Sequence, residues 1–245
     1  MIKSRLNMGV VIFFAMRLIT FSGPPSSGKT SVILRLIDNL ACVKDHIGVV
    51  KFDCLNSFDH ERYNEAGLKN VTGLSGRFCP DHFYVSNIEG AIDWGRKKNL
   101  ELLVTESAGL CNRCSPHVTG VLSVCVIDNL SGSNTPKKIG PMLKLADVVV
   151  ITKGDIVSQA EREVFAFNVK QVNTSAKIIF VNGITGQGVG ILAKQVAAYP
   201  HSPELKNLKL RFTTPAAVCS YCTGEMRIGE EFRMGTMKIM EFDDK

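Results

Sequence analysis

Two rhythms of apolar residues alternate along the chain. Short, nearly continuous apolar runs cover residues 17–22 (Leu18, Ile19, Phe21), 47–52, 102–104, 121–127, 148–151 and 178–181. Runs this short, bounded by polar or Gly-containing segments, predict strands. Between them lie stretches with the helical period. Residues 31–42 carry Val32, Ile33, Leu36, Ile37 and Leu40 at that spacing, and 86–98, 141–145, 159–170 and 188–198 also read as helices. Residues 53–76 are polar and contain glycine, which predicts mostly loop with a short helix near Glu61. Residues 129–136 are rich in Ser, Gly, Asn and Pro and predict a turn. Strands apolar on both faces, alternating with helices, predict an α/β fold: a mostly parallel sheet covered by helices on both sides.

The rhythm changes at Pro200-His201-Ser202-Pro203. Beyond it, Leu208, Leu210 and Phe212 alternate, followed by a C-x-x-C and Gly-containing turns. This predicts a β-rich C-terminal extension over 201–245 without a large core of its own. At the other end, Lys3 and Arg5 precede Val10-Val11-Ile12-Phe13-Phe14, which loosely mimics a signal peptide. Arg17 interrupts the pattern and the first strand begins at once, leaving no room for a cleavage site. A leader before a start at Met16 fits equally well. Residues 1–15 are therefore set aside as a leader or disordered N-terminus, and the main domain is placed at 16–200.

The 245 residues include 45% hydrophobic side chains, ample for a core. The net charge of +6 comes from scattered Lys and Arg with no dense basic run, so nucleic-acid binding is not implied. No apolar stretch is long enough to span a membrane.

One motif changes the picture most. Gly23-Pro24-Pro25-Ser26-Ser27-Gly28-Lys29-Thr30 fits G-x-x-x-x-G-K-[ST], the loop that cradles nucleotide phosphates. It lies between a predicted strand and a predicted helix, the setting in which backbone N–H groups face an anion. This makes the fold a P-loop NTPase. The loop and Ser31 are assigned to the phosphates, with Lys29 reaching the β- and γ-phosphates and the Thr30 hydroxyl ligating Mg²⁺. Asp53 ends the second strand, and Glu106 ends another in Thr105-Glu106-Ser107-Ala108-Gly109. Both are candidates to hold Mg²⁺ and orient water. Together with Lys29 they form the predicted catalytic set.

Thr152-Lys153-Gly154-Asp155 follows a later strand and resembles the N/T-K-x-D element with which GTPases read guanine. Its carboxylate accepts from the two donor nitrogens of that base, and adenine would leave it unpaired. Asn182 and Gly183 begin a loop after the last strand that resembles the one closing over guanine from the other side.

These motifs, with Asp59-His60-Glu61-Arg62, Ala66-Gly67 and Cys79-Pro80-Asp81-His82, resemble the nickel-handling GTPases. That family comprises hydrogenase-maturation and urease-accessory proteins, with cobalamin-type metallochaperones as cousins. The resemblance covers roughly residues 17–199. It implies GTP and Mg²⁺ as cofactors, dimerisation on nucleotide or metal binding, and delivery of a metal to a client metalloenzyme or its accessory protein. It further implies that Cys and His hold the metal near the dimer interface. The chain departs from the urease-type pattern in the extra Asp81 and from the usual GTPase in having Thr152 in place of Asn.

Eight cysteines in such a chain argue against a disulfide framework and for the reducing cytoplasm. Cys42 and Cys125 fall in apolar helix and strand patterns and read as core residues. Two C-x-x-C pairs, Cys111/Cys114 and Cys219/Cys222, can each chelate an ion, complete one Cys₄ site, or meet their mates across a two-fold axis. Cys79 with His82 is a further candidate pair. Ni²⁺, Zn²⁺ and an iron–sulfur cluster all suit such donors, and reduced surface thiols are the alternative. The reading that follows is a GTP-hydrolysing metallochaperone or metal-centre maturation factor. Its rivals are an iron–sulfur ATPase or GTPase bridging a cluster between subunits, and a GTP-gated interaction module without turnover.

Overall fold

The computed structural model describes residues 16–40, 44–55, 59–110, 112, 114–199, 207–212, 225–233 and 237–242. Among these residues, seven strands form one sheet: β1 (Arg17–Ser22), β2 (Ile47–Asp53), β3 (Lys69–Leu74), β4 (Leu102–Ser107), β5 (Leu122–Asp128), β6 (Val148–Thr152) and β7 (Lys177–Phe180). All pairings are parallel, in the order β3-β2-β4-β1-β5-β6-β7. The helices are α1 (Lys29–Asn39), α2 (Asp59–Glu65), α3 (Pro80–Lys97), α4 (Thr135–Lys138), α5 (Pro141–Lys144), α6 (Gln159–Val172) and α7 (Val189–Ala198). Among the described residues, no helix is long and apolar enough to cross a membrane.

The apolar runs form strands because both faces are covered. Alternate residues of β1 enter different cores: Ile19 and Phe21 join α1 and α7, while Leu18 packs with α3. A third cluster gathers Cys125, Ile127, Val149 and Ile151 against Phe165 and Val169 of α6. Cys125 is thus a core residue, and burial pushes its thiol up to about 12. Cys42 lies outside the described residues. β1 is the centre of the sheet: the chain runs from β1 to β2 on one side of it, and later crosses from β4 to β5 on the other. Its carboxyl end is therefore the topological switch point where open α/β sheets bind ligands.

Three segments differ from the sequence expectation. Residues 53–76 contain α2 and also the strand β3, whose edge position, exposed Lys69 and half-buried Asn70, Val71 and Thr72 hide it from an apolar-run criterion. Helix α3 begins six residues earlier than its periodicity suggests, with Pro80 in the first turn, where proline's fixed φ suits a helix start. The predicted turn at 129–136 contains a 3₁₀ turn (Asn129–Ser131) and the start of α4.

The described part of the C-terminal region packs on the α3 side of the sheet. Leu208, Leu210, Ile228 and Met240 are buried in the same cluster as Phe83, Tyr84 and Ile88. Leu210 bridges to Val118 and Lys209 to Arg227, both antiparallel. Arg211 forms a fork on Asp147 at 2.7 and 2.8 Å and also donates to the carbonyls of Val118, Val121 and Leu145. Further along, Asn87 on α3 donates to the Lys238 carbonyl and accepts from Met240 N–H. A Cβ at Gly73 would lie 2.2 Å from the Met240 sulfur, and one at Gly90 2.7 Å from the Phe242 ring. Both glycines therefore make room for this tail. Residues 1–15 lie outside the described part.

Candidate nucleotide and metal site

The loop after β1 turns sharply under β5. Gly23 adopts φ 139°, and a Cβ there would lie 1.9 Å from the Val126 carbonyl oxygen, so no other residue fits. Gly28, left-handed, caps α1. Lys29 folds back over the loop, with Nζ donating to the Gly23 and Pro24 carbonyls at 2.9 Å each. Burial lowers its ammonium below the ordinary lysine range, partly opposed by the charge of Glu106.

Beside Lys29 lies a cavity of about 340 Å³ lined by Pro25, Ser26, Gly28, Thr30, Ser31, Lys51, Asp53, Asp59, Arg62 and Glu106, with Ser107 to Leu110 nearby except Gly109. The structure thus brings Lys29, Thr30, Asp53 and Glu106 together. Glu106, almost fully buried, is the hub. Its Oε1 accepts from Thr30 Oγ1 at 2.9 Å and from Lys51 Nζ at 3.2 Å, and its Oε2 accepts from the Tyr63 hydroxyl at 2.6 Å. Burial and then the Glu106 charge push the Tyr63 phenol well above its usual range, so it stays protonated and donates. Asp53 lies with its Oδ2 3.7 Å from Lys51 Nζ.

Lys51, Asp59 and Tyr63 complete this cluster, and motif reasoning gave Lys51 and Tyr63 no role. Lys51 sits in β2 directly opposite Glu106 of β4. Its Nζ also bonds the Asp59 carboxylate at the start of α2. A lysine inside a buried strand, two positions before Asp53 and hence on the same face, was the available signal. Burial would lower the Lys51 ammonium, but Glu106, Asp59 and Asp53 outweigh it and hold it above its ordinary range.

Gly109 ties the loop after β4 to the phosphate loop. At φ 70°, a Cβ there would lie 1.6 Å from the Gly23 carbonyl oxygen. The segment leaving Glu106 therefore touches the first residue of the phosphate motif, backbone to backbone.

At the base-reading end, Thr152 Oγ1 donates to the Ser27 carbonyl at 2.6 Å and lies 3.2 Å from the Ile127 carbonyl. Lys153, left-handed at φ 55°, donates to the Ser26 carbonyl at 2.8 Å. Asn129, a residue the motif did not include, donates to the Thr152 carbonyl at 2.9 Å. Asp155 is exposed two residues beyond Lys153. Asn182 Oδ1 accepts from Ile184 and Thr185 N–H, closing its own turn, and Gly183 approaches Ser31 of α1. Thr152 and Lys153 thus bond the phosphate loop, and Gly183 approaches the helix that follows it.

Of the cysteines in the candidate pairs, Cys79 and Cys114 are among the described residues. Cys79 is the N-cap residue of α3, and its thiol interacts with that of Cys114, which is buried. The hydrogen bond with Cys114, supported by the N–H groups of His82 and Asp81 and opposed by burial, pulls the Cys79 thiol down to about 6. Asp81 is 2% exposed, its Oδ2 has no hydrogen-bond partner among the described residues, and burial followed by the Cys79 charge raises it to about 7. His82, also buried, follows in the same helical turn, and burial lowers its imidazole. Cys111, Cys219 and Cys222 lie outside the described residues. Among the described residues, no three His, Cys, Asp or Glu side chains converge as a metal-binding group.

The Cys79 thiol should therefore titrate early. Its alkylation by iodoacetamide, followed by peptide mass mapping on metal-free protein, is expected to stay fast at pH 7 and to fall as pH drops through about 6. A folded value below the unfolded one also means that its stabilising contribution is complete above pH 9 and lost as pH falls towards 6. A midpoint near that of an ordinary thiol would show that the Cys114 contact does not hold in solution.

The CobW/HypB/UreG nucleotide-binding domain matches residues 17–180. The chain belongs to this family. The uncharacterized protein MJ0120 of Methanocaldococcus jannaschii is 44% identical over 226 residues, covering 92% of this chain and 97% of that protein. The hydrogenase/urease maturation factor HypB of Helicobacter pylori is 30% identical over 161 residues, covering 63% of this chain and 62% of that protein. Among solved structures, HypB of Helicobacter pylori in complex with nickel superimposes with a TM-score of 0.60 at 20% identity, over 75% of this chain and 86% of that one. HypB of Archaeoglobus fulgidus gives 0.59 at 23%, over 75% and 89%. The P-loop fold and the resemblance to nickel-handling GTPases read from the motifs are both borne out. CobW/HypB/UreG membership makes the chain a nucleotide-binding P-loop protein of the GTPase type.

Proposed function

We propose that this protein is a GTP-binding and GTP-hydrolysing maturation factor that couples nucleotide state to a transition-metal cargo held at Cys79 and Cys114. One observation carries the reading. A single short loop joins Glu106, bonded to Thr30 of the phosphate motif, to Cys114, the partner of Cys79. Gly109, between them, presses on Gly23. A change at the terminal phosphate therefore has a direct backbone route to the thiolates.

The hydroxyl of Thr30 and the carboxylates of Asp53 and Glu106 are the hard oxygen donors that suit Mg²⁺, and they line one cavity. Bound there, Mg²⁺ would neutralise charge on the transferring phosphoryl group. Lys29 supplies a second positive charge at that end, and the loop N–H groups bind the phosphates. Glu106 orients water. Asp155 reads guanine, and Lys153 covers the ring. On hydrolysis the loop after β4 relaxes, and the distance and exposure of Cys114 relative to Cys79 change. Asp81, buried two residues beyond Cys79, keeps one carboxylate oxygen without a partner among the described residues. Nickel, with which Helicobacter pylori HypB forms the complex cited above, and Zn²⁺ both suit the Cys79 and Cys114 donors. The protein works as a homodimer with a client metalloenzyme or its accessory protein. Its setting is the cytoplasm.

The test is an anaerobic titration of Ni²⁺ or Zn²⁺ into protein holding GDP or a non-hydrolysable GTP analogue. Linkage requires the same factor in both directions, about 5–150-fold for typical couplings. Cys79→Ser/Cys114→Ser is expected to erase that factor and leave metal-free GTP binding intact. Identical metal affinities in the two nucleotide states would refute the proposal.

A further inference from the structure

Lys51 stands where a metal ion would be expected. Its Nζ shares the Oε1 oxygen of Glu106 with the Thr30 hydroxyl, at 3.2 and 2.9 Å. Asp59 bonds the same ammonium, and Asp53 lies at 3.7 Å. Hydroxyl and carboxylates thus surround a cation of unit charge tethered to β2. We propose that Lys51 is a built-in counter-ion that fills the magnesium position when no nucleotide is bound. A divalent ion can then enter only together with nucleotide phosphates. This inference rests on the assignment of Mg²⁺ to Thr30, Asp53 and Glu106.

The charge balance supports it. Three carboxylates, Asp53, Asp59 and Glu106, face three cationic groups, Lys51, Lys29 and Arg62. The pocket is close to neutral as it stands. Adding a divalent ion would turn it positive and place two cations on one Glu106 oxygen, at a separation where like charges repel strongly in a partly buried site. Lys29 offers no relief, because it is committed to the Gly23 and Pro24 carbonyls. Nucleotide phosphates change the sum by several negative charges, enough for Lys29, Lys51 and the metal ion together. Asp59 marks the way out. It begins α2, is tied to Lys51, and is also paired with Arg62 at 3.5 Å, whose other end donates to Ser31 Oγ beside the phosphate loop. When the ion takes Glu106 and Asp53, Lys51 keeps Asp59 and moves with α2. The arrangement prevents the protein from holding Mg²⁺ idly, and it makes the position of α2 report whether the metal–nucleotide complex has arrived.

The experiment uses Mn²⁺, an oxygen-preferring ion with a spectroscopic signal, titrated into the full chain and followed by electron paramagnetic resonance of the free ion. Without nucleotide, wild type is expected to leave the free signal undiminished, and with a GTP analogue to bind Mn²⁺. Lys51→Met without nucleotide is expected to bind Mn²⁺ at least roughly tenfold more tightly than wild type, since one unit charge beside the ion is gone. Lys51→Arg, which keeps the charge, should exclude Mn²⁺ as wild type does. Adding Asp53→Asn to Lys51→Met should remove the new binding and so place the ion in this pocket. If wild type binds Mn²⁺ equally well with and without nucleotide, the inference is overturned, and that arm needs no variant to fold. If Lys51→Met gains nothing while wild type still binds Mn²⁺ with the analogue, the counter-ion role fails and the magnesium assignment stands. If no form binds Mn²⁺ even with the analogue, the magnesium assignment fails and takes this inference with it.

Discussion

Lys29→Ala is expected to lower the rate of GTP hydrolysis by about 10²–10³-fold, the loss typical for removing one preorganised group that stabilises transition-state charge. The reasoning is geometric. Lys29 is buried against Glu106 and the phosphate loop, so its side chain has few alternatives to the cavity. Its present acceptors are the Gly23 and Pro24 carbonyls of the very loop that would cradle the phosphates. An incoming γ-phosphate offers that ammonium a far stronger partner than two neutral carbonyls. Burial already lowers its pKa, so the free site holds it at a cost that phosphate binding relieves. Phosphate release under saturating GTP is the measurement. A Lys29→Ala protein hydrolysing GTP at the wild-type rate would exclude this lysine from the reaction.

Asp155→Asn is expected to reverse base selectivity. GTP binding should weaken by at least about a hundredfold, while xanthosine triphosphate, whose base offers the complementary groups, should gain. The supporting geometry is the neighbourhood of the residue. Thr152 is fastened to Ser27 and Ile127, Lys153 to Ser26, and Asn129 to Thr152. These four bonds hold the strand end that presents Asp155 against the phosphate loop. The carboxylate itself is exposed and accessible to a base. Competition between fluorescent GTP and unlabelled GTP, ATP and xanthosine triphosphate measures the effect. Equal affinity of wild type for ATP and GTP would defeat the prediction before any variant is made.

Much of this was legible in the sequence, and the illegible parts share a cause. The central strands were readable because both of their faces are apolar, and the phosphate motif because its spacing is dictated by backbone geometry. β3 was not, because an edge strand beside α2 need not be apolar on either face. Thr152 was readable as a departure from Asn. That its hydroxyl reaches the phosphate-loop carbonyl of Ser27, and so fastens one motif to the other, was not. Spacing is visible in a sequence, and it singled out Cys111 with Cys114, the first of which lies outside the described residues. The interaction of Cys114 with Cys79, far away in sequence, was not visible there, because it depends on the start of α3 coming beside the loop after β4. Lys51 and Tyr63 were hidden for the same reason: their importance lies in reaching Glu106 from other elements. A sequence records neighbours along the chain, whereas a binding pocket is assembled from neighbours across the sheet.

The tail laid along α3 separates two quantities that are easily equated. The match to CobW/HypB/UreG ends at residue 180, yet Leu208, Leu210, Ile228 and Met240 lie in the same apolar cluster as Leu18 and Val50 of the central strands. Asn87, which donates to the tail and accepts from it, sits on the helix that begins with Cys79 and Pro80. The family model and the packed interior therefore have different lengths in this chain. A boundary drawn where the family model ends would cut through material that the nucleotide-binding portion needs to keep its own interior dry.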